Sequence, residues 1–152
     1  MESQRLFATE GEVLVASSLF LLQEDGGTLD LTEIEGPGDG VATGGVGGAI
    51  LWSACNDHYP QVRVELWSGP PPRSEQEWEA TQDEAISVWD TGRLAVTTIF
   101  GTQSDASGVR LPRLGSYQVR VHARGREEAR GHGRAEFFHG IEQWLLQVWP
   151  PA

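Results

Sequence analysis

The sequence predicts an all-β fold, an antiparallel β-sandwich that residues 1–152 form as one domain. Three observations indicate it: about seven short apolar or alternating segments recur along the chain, glycine and proline turns separate them, and helical periodicity is nearly absent. A length of 152 residues suits one domain. Six Trp and five Phe can fill its core, although only 39% of the residues are hydrophobic. We expect at most one short helix and a glycine-rich loop.

The N-terminal part of the chain contains three segments with different predicted structures. Residues 13–22 form a nearly continuous apolar run, which favours a buried strand. Residues 29–34 alternate between apolar and acidic side chains and predict a short exposed strand or a loop. Seven of the thirteen residues from 36 to 48 are Gly, which indicates either a mobile loop or a bend that passes close to a neighbour.

Turn residues between strand-like segments predict two hairpins. The apolar run 49–54 and the alternating segment 62–66 flank an Asn-Asp-His-Tyr-Pro turn. Residues 78–88 and 94–100 alternate in the same way and flank an Asp-Thr-Gly turn. We therefore expect each pair of segments to form adjacent antiparallel strands.

The remaining segments are assigned from local pattern. Residues 77–88 begin like a helix, but their period of two favours a strand. The prolines at 70–72 lack amide donors, so the chain must leave the sheet there. Residues 117–124 alternate as a strand whose polar face, including His122, is expected to meet solvent or a partner. Residues 127–134 predict a short helix or a polar loop, and residues 141–149 a final apolar strand.

The charge of the chain is strongly acidic. Eleven Arg and no Lys stand against 22 acidic residues, for a net charge of -11, which disfavours direct binding of nucleic acid or anionic membranes and favours a basic partner. The absence of Lys excludes Schiff-base chemistry and a phosphate-binding P-loop lysine. Residues 1–90 carry a net -14 and residues 91–152 a net +3. The fold either presents two faces of opposite sign or interleaves strands and mixes the charges.

The cysteine and the histidines are the residues that could carry out chemistry. Cys55 is the single cysteine, which precludes an intrachain disulfide and favours a cytoplasmic protein, and no segment predicts a membrane span or a secretory signal. With His58 nearby, Cys55 is either a nucleophile or a small buried hydrophobe.

His122, His132 and His139 could bind zinc or act in acid–base catalysis with Glu136, but their spacing matches no tight ligand motif. We predict no metal, no cofactor and no catalytic residue.

The acidic segment from residue 75 to residue 90 is the strongest candidate for a binding surface. Like charges on one surface cost stability, and a basic partner would neutralise them; solubility alone is the alternative explanation. Trp side chains nearby are either interaction hot spots or part of the core. The predicted partner-binding residues are Glu75, Glu77, Trp78, Glu79, Asp83, Glu84, Trp89 and Asp90.

The order of elements resembles the competence protein J family of bacterial nuclease inhibitors. The resemblance rests on the apolar strand 17–22, the Gly-rich segment before Ala49-Ile50, the 62–66 strand, and Leu111-Pro112 followed by Gly115-x-Tyr117-Gln118. It covers residues 13–124, while the ending 143–150 is similar to the C-termini of uncharacterised bacterial proteins. The resemblance implies a small cytoplasmic protein that blocks a nuclease by occupying its active cleft.

These observations lead to one functional hypothesis and two alternatives. The first is an acidic inhibitor or immunity-type protein, as in toxin–antitoxin pairs, that has no enzymatic activity and occupies the cleft of a basic toxin or nuclease. The second is a sandwich that binds a carbohydrate or another small ligand through Trp side chains and the Gly-rich loop. The third is an enzyme built on the histidines of the second half. Oligomeric state stays open, because a sandwich with free strand edges can dimerise.

Overall fold

The computed structural model describes residues 2–26, 29, 40–133 and 136–151. Within these residues ten strands and one short helix form an all-β sandwich, as the sequence predicts. In chain order the elements are β1 (Arg5–Glu12), β2 (Leu19–Glu24), β3 (Ala42–Gly45), β4 (Gly48–Trp52), β5 (Tyr59–Trp67), β6 (Ala80–Val88), β7 (Arg93–Thr97), β8 (Val109–Arg110), β9 (Gly115–Arg124), α1 (Arg126–Arg130) and β10 (His139–Trp149).

The strands make two five-stranded sheets. Sheet 1 has the order β1-β5-β10-β9-β6, and sheet 2 has the order β3-β4-β2-β7-β8. All the pairs are antiparallel except β5 with β10, which is parallel. The sandwich is therefore mixed at one position, where β10 lies between β5 and β9 in the middle of sheet 1.

The core lies between the two sheets and follows the predicted alternation. Along β9, Tyr117, Val119 and Val121 face inward and are fully buried, because successive side chains of a strand point to opposite faces. From the facing sheet, Phe20 packs edge-on against Trp144, with ring centroids 5.2 Å apart. This edge-to-face arrangement is favourable for aromatic pairs.

Both predicted hairpins are wrong. β4 lies in sheet 2 and β5 in sheet 1, and likewise β6 lies in sheet 1 and β7 in sheet 2. In each case the turn reverses the chain but carries it across to the other sheet. Turn residues specify a change of direction, and they do not specify which strand becomes the neighbour.

Two other segments differ in detail from the sequence prediction. The apolar run 13–22 is interrupted at Ser17 and Ser18, whose φ angles of 56° and 62° are left-handed, and β2 begins only at Leu19. The strand prediction for 77–88 is confirmed from Ala80 onward by β6, and the helix alternative for 127–134 is confirmed up to Arg130 by α1. No helix in the described part of the chain is long and apolar enough to cross a membrane.

The described part of the Gly-rich segment forms β3, β4 and the tight turn between them. Gly48 has a φ of +146°, and a Cβ atom there would collide with the backbone carbonyl of Leu22 on the neighbouring strand β2. This part of the segment therefore passes close to a neighbour, which is one of the two predicted alternatives. Residues 30–34 and 36–39 lie outside the described residues, as does Arg134.

Candidate functional surface

The predicted partner-binding segment follows the edge strand β6 from one end to the other. Glu75, Glu77 and Trp78 precede the strand, whereas Trp89 and Asp90 follow it. Nine residues of extended chain span about 26 Å, so the predicted residues divide into two groups at opposite ends of β6. The structure does not gather all eight of them into one cluster.

Three of the carboxylates have partners within the protein. Glu79 accepts hydrogen bonds from the backbone amides of Gly125 and Arg126, at 2.6 and 3.0 Å, at the start of α1. Asp83 forms a two-pronged ion pair with the Arg120 guanidinium, at 2.8 and 3.1 Å. These two carboxylates hold neighbouring elements of the protein together.

Glu84 points the other way from Asp83. It lies on the inner face of β6, where its Oε1 accepts a hydrogen bond of 2.9 Å from the backbone amide of Gly44 on β3. Next to it, Gln82 accepts from the amide of Val41 and donates to the carbonyl of Ala42. Glu84 and Gln82 thus join the edge strands of the two sheets, and Glu84 is only partly exposed.

The other carboxylates of the segment are exposed. Glu75, Glu77 and Asp90 have exposed side chains, and none of these carboxylates accepts a hydrogen bond or forms an ion pair with any residue that the structure describes. Trp89 is also 63% exposed. These four side chains are exposed, and the three carboxylates among them bond to no described residue.

The corner that carries Trp89 and Asp90 is organised by Glu24, which the sequence analysis did not select. The Glu24 carboxylate is buried at the end of β2 and accepts hydrogen bonds of 2.8 to 3.1 Å from the backbone amides of Trp89, Asp90 and Gly92. Burial raises the pKa of Glu24, but these amides together lower it below its ordinary value. The carboxylate therefore stays ionised and fixes the turn that presents Trp89.

Leu114 lies next to Trp89 at the same corner. Val88 and Gly115 are register partners in β6 and β9, so the residues just beyond them, Trp89 and Leu114, flank the same end of the strand pair. Both side chains are exposed, at 63% and 46%. The corner therefore combines an aromatic and an aliphatic side chain with the carboxylate of Asp90.

Trp78 at the opposite end of β6 is half-buried and covers His122. The two rings are 5.1 Å apart, the Arg124 guanidinium lies 4.9 Å from the indole centroid, and the indole Nε1 donates to Ser74 Oγ at 3.0 Å. A cation over an indole face is favourable. Trp78 therefore fastens the segment before β6 onto the outer face of sheet 1.

A chain of hydrogen bonds crosses four neighbouring strands on that outer face. Gln147 Nε2 donates to Glu65 Oε1 at 3.1 Å, His122 Nε2 and Gln147 Oε1 are 2.9 Å apart, and His122 Nδ1 and Thr81 Oγ1 are 3.0 Å apart. Because Gln147 uses its amide hydrogen on Glu65, its oxygen accepts from His122 Nε2. We name this chain the polar ladder; it consists of Glu65, Gln147, His122 and Thr81.

Burial sets the protonation states in the polar ladder. Desolvation lowers the pKa of His122, which is 4% exposed, so its imidazole is neutral at pH 7. Desolvation raises the pKa of Glu65, but hydrogen bonds from Gln147, Arg63 and Trp67 outweigh it and lower the value below the ordinary one. The prediction that His122 faces solvent or a partner is wrong, because Trp78 covers the ring and the ladder satisfies both nitrogens.

The segment before β6 and the outer face of sheet 1 enclose a groove. One part has a volume of about 450 Å³ and is floored by β5 and β10. A second part, of about 820 Å³, lies toward β6 and β9. We name these two parts together the outer groove. Trp78 lines both parts, and Trp67 lines the first part.

The other histidines lie in different surroundings from His122. The carboxylate of Glu136 pairs with His132 Nδ1, and that of Glu12 with His139 Nδ1, each at 2.9 Å. The His139 ring also stacks on Tyr59, with centroids 4.4 Å apart. His122, His132 and His139 therefore have separate partners, and the described residues contain no group of three metal-ligating side chains.

His58 and Glu142 form a fully buried polar pair bridged by Ser53. Ser53 Oγ is 2.7 Å from His58 Nε2 and donates to Glu142 Oε2 at 3.1 Å, while Glu142 Oε1 accepts from the Trp144 indole at 2.7 Å. Desolvation lowers the pKa of His58. Since Glu142 is at the start of β10, this pair ties the β4–β5 connection to sheet 1.

Cys55 lies in the same connection and not in a strand. Its thiol is partly exposed and lies 3.4 Å from the carbonyl oxygen of Asn56. Desolvation raises the pKa of the Cys55 thiol, which keeps it protonated at neutral pH and lowers its nucleophilicity. The surroundings therefore favour an unreactive thiol.

The fold is similar to two solved structures over nearly its full length. ComJ from Bacillus subtilis, an inhibitor of the DNA-degrading activity of NucA, aligns with a TM-score of 0.63 and 10% identity, covering 99% of each chain. The product of crocagin biosynthetic gene J aligns with a TM-score of 0.58 and 17% identity, again covering 99% of each chain. No family model matches the sequence, and no curated protein matches it.

These similarities concern the fold, because both identities are low. The resemblance to the competence protein J family that the sequence suggested is confirmed at that level. It extends beyond residues 13–124 to nearly the whole chain, including the β10 segment.

Proposed function

We propose that this chain is an inhibitor or immunity-type protein that binds a basic nuclease or toxin and blocks its active cleft. The observation that carries the proposal is the fold similarity to ComJ, which spans 99% of both chains. ComJ is itself an inhibitor of a DNA-degrading activity. Inhibition by occupation of a cleft requires no turnover, and the protein acts as a rigid binding surface.

The net charge of -11 supports a nuclease as the partner class. An enzyme that binds DNA must attract phosphates, so its substrate cleft is positively charged. A strongly acidic protein is attracted by the same field, which raises the association rate and makes it depend on ionic strength. Carboxylates of the inhibitor then take the positions of substrate phosphates.

The interface in this proposal follows β6. Its main members are the exposed side chains that form no hydrogen bond or ion pair with the described residues: Glu75 and Glu77 at one end and Trp89 and Asp90 at the other. A standard interface buries about 800 Å² on each partner, which is a disc about 30 Å across. Groups separated by the length of β6 fit within one such interface. Trp89 then acts as the aromatic anchor and the carboxylates as electrostatic contacts.

A DNA-degradation assay tests the proposal. Labelled duplex DNA is incubated with NucA, or with nuclease fractions from the native host, in the presence of increasing amounts of the purified chain. We expect one nuclease to be inhibited stoichiometrically, with inhibition weakening as salt is raised. Size-exclusion chromatography of the mixture is expected to give a complex with the same nuclease.

A variant with Glu127→Gln and Glu128→Gln provides the matched control. These two exposed carboxylates lie on α1, outside the proposed interface, and the variant has the same total charge as one with Glu75→Gln and Glu77→Gln. The proposed surface predicts weaker inhibition by the Glu75/Glu77 variant alone. Undiminished DNA degradation by every nuclease fraction, even with the chain in large excess, would rule the inhibitor function out.

A further inference from the structure

We propose that the outer groove binds an uncharged, hydroxyl-rich ligand of the carbohydrate class. The groove shares Glu75 with the nuclease interface proposed above, but ligand binding in it does not depend on that function. It rests on four properties of the groove: its size, its rigid polar floor, its free hydrogen-bond donors and its two indole walls.

The size and position of the groove suit a small ligand. The part between the segment before β6 and the strands β5 and β10 has a volume of about 450 Å³, within the range of about 300–1,000 Å³ that is common for small-molecule sites. Its floor is the central part of sheet 1, so side chains from adjacent strands converge there. A site on strands is held more rigidly than a site on loops.

The floor of the groove is preorganised around Glu65. This carboxylate is 6% exposed and accepts hydrogen bonds from Arg63 Nε at 2.9 Å, Trp67 Nε1 at 2.9 Å and Gln147 Nε2 at 3.1 Å. Burial raises the pKa of Glu65, but these three hydrogen bonds lower it below its ordinary value, so the carboxylate stays ionised and accepts from all three donors. The hydrogen bonds of the polar ladder hold the side chains in place from Glu65 toward β6. A ligand that binds here therefore contacts side chains that need little rearrangement.

Two amide groups on this floor have hydrogen-bonding capacity to spare. Gln143 Oε1 accepts two hydrogen bonds from Arg124, at 2.9 and 2.6 Å, but Gln143 Nε2 donates to no residue that the structure describes. The side chain of Gln61 makes no hydrogen bond within the described ranges, and both residues line the groove. An amide offers both a donor and an acceptor, and a guanidinium group offers paired donors, so together they can bond to adjacent hydroxyl groups.

Trp67 and Trp78 supply the apolar contacts. Each indole is fixed through its Nε1, which donates to Glu65 in one case and to Ser74 in the other. Both side chains line the groove. Indole rings held in this way present a broad, flat apolar face and a polar N–H edge, and the apolar face can pack against the C–H groups of a sugar ring.

The charges of the lining residues indicate a neutral ligand. Arg63, Arg73 and Arg124 are matched by Glu10, Glu65 and Glu75. Arg63 is already paired with Glu65, and Glu10 Oε1 lies 3.9 Å from Arg63 Nη1. The carboxylates would repel an anion and the guanidinium groups would repel a cation, whereas the hydroxyl groups of a neutral ligand can form hydrogen bonds with both.

Isothermal titration calorimetry of the full chain tests this site. The probes are glucose, maltose, cellobiose and diacetylchitobiose, with a hexose phosphate and inorganic phosphate titrated in parallel. We expect saturable binding of at least one neutral saccharide. Gln143→Ala and Trp67→Phe are expected to weaken it by about tenfold each, the effect of losing one well-placed contact in a binding site.

Trp89→Phe is the matched control, because Trp89 is exposed outside the groove. It is expected to bind the saccharide like the unmodified chain, and far-ultraviolet circular dichroism checks that every variant is folded. Binding of phosphates alone, binding of none of the saccharides, or equal weakening by Trp89→Phe and Trp67→Phe would each overturn the proposal. Nuclease inhibition is measured on the same variants, so the two proposals fail independently.

Discussion

The carboxylates between residues 75 and 90 divide into two groups that the sequence does not distinguish. Glu79, Asp83 and Glu84 are bonded to a helix start, to an arginine and to the opposite sheet. Glu75 and Glu77 are exposed and bond to no described residue. A run of acidic residues is therefore not one patch, because part of it holds the fold together and part of it is available to a partner.

A substitution in the bonded group is expected to change the stability of the fold, whereas a substitution in the exposed group is expected to change the binding of a partner. Removing a bonded carboxylate leaves amide or guanidinium donors without a partner and lowers the free energy of unfolding. Removing an exposed one changes the field around the molecule and leaves its internal contacts intact.

The largest effect is expected at Glu24, which holds the Trp89–Asp90 turn. Glu24→Ala removes one acceptor from three backbone amides and is expected to lower the free energy of unfolding by about 3 kcal/mol. Urea denaturation followed by Trp fluorescence measures it. A loss as small as that of an exposed carboxylate such as Glu77 would show that the amides find other partners.

The pH dependence of the same residue has a definite sign. The folded-state pKa of Glu24 is lowered, so its contribution to stability is present above the unfolded value of about 4.5 and is lost as pH falls below it. In Glu24→Gln this contribution is absent at every pH. The difference in unfolding free energy between the two proteins is therefore expected to shrink as pH falls from 6 to 3, and a constant difference would contradict the assignment.

Charge reversal at the exposed pair is expected to act on association. Glu75→Arg combined with Glu77→Arg should slow association with an inhibited nuclease by about 30-fold at low salt, within the range that electrostatic steering supplies. Stopped-flow mixing measures the rate. The unfolding free energy is expected to change by no more than about 0.5 kcal/mol. An unchanged association rate would place the nuclease elsewhere on the molecule.

Glu79 is expected to behave as a helix cap. Glu79→Ala removes the acceptor for the first amides of α1 and should cost about 1 kcal/mol of unfolding free energy. Glu77→Ala, two residues away and without such bonds, is the control. Equal stability of the two variants would contradict a structural role for the Glu79 carboxylate.

The smallest effect is expected at Asp83. Its ion pair with Arg120 is partly exposed, with 47% of the Asp83 side chain accessible, and exposed pairs contribute little. Asp83→Ala is expected to cost about 0.5 kcal/mol, and raising the salt concentration should reduce that cost. A double-mutant cycle with Arg120→Ala isolates the pair, and a coupling above about 2 kcal/mol would show that it is better shielded than its exposure indicates.

Much of the fold follows from the period of the apolar residues. The alternation around Tyr117 and Val119 predicts both β9 and its buried face, and β6 was identified in the same way. The same period places Asp83 and Glu84 on opposite faces of β6, so a closer use of it separates two of the predicted site residues. The local pattern of apolar residues is therefore sufficient to predict a strand and its buried face.

Features that depend on distant residues could not be predicted. Glu24 binds amides 65 to 68 positions later in the chain, and no local signal marks a carboxylate in an apolar strand as their partner. His122 stands in a polar row of β9, but Trp78 buries it. The two wrong hairpins have the same cause, because the choice between sheets is made by packing across the core and not by the turns.

β10, the last strand in the described part of the chain, occupies the centre of sheet 1, which affects how the protein folds during synthesis. β10 separates β5 from β9 in sheet 1, so a nascent chain that has not yet reached residue 139 lacks the strand that joins the two halves of that sheet. Until then β5 and β9 each have an open edge, which is the surface on which strands of other chains can add. Closure of sheet 1 therefore requires translation of β10, and folding is expected to be slow because the strand pairs of sheet 1 join residues that are distant in sequence.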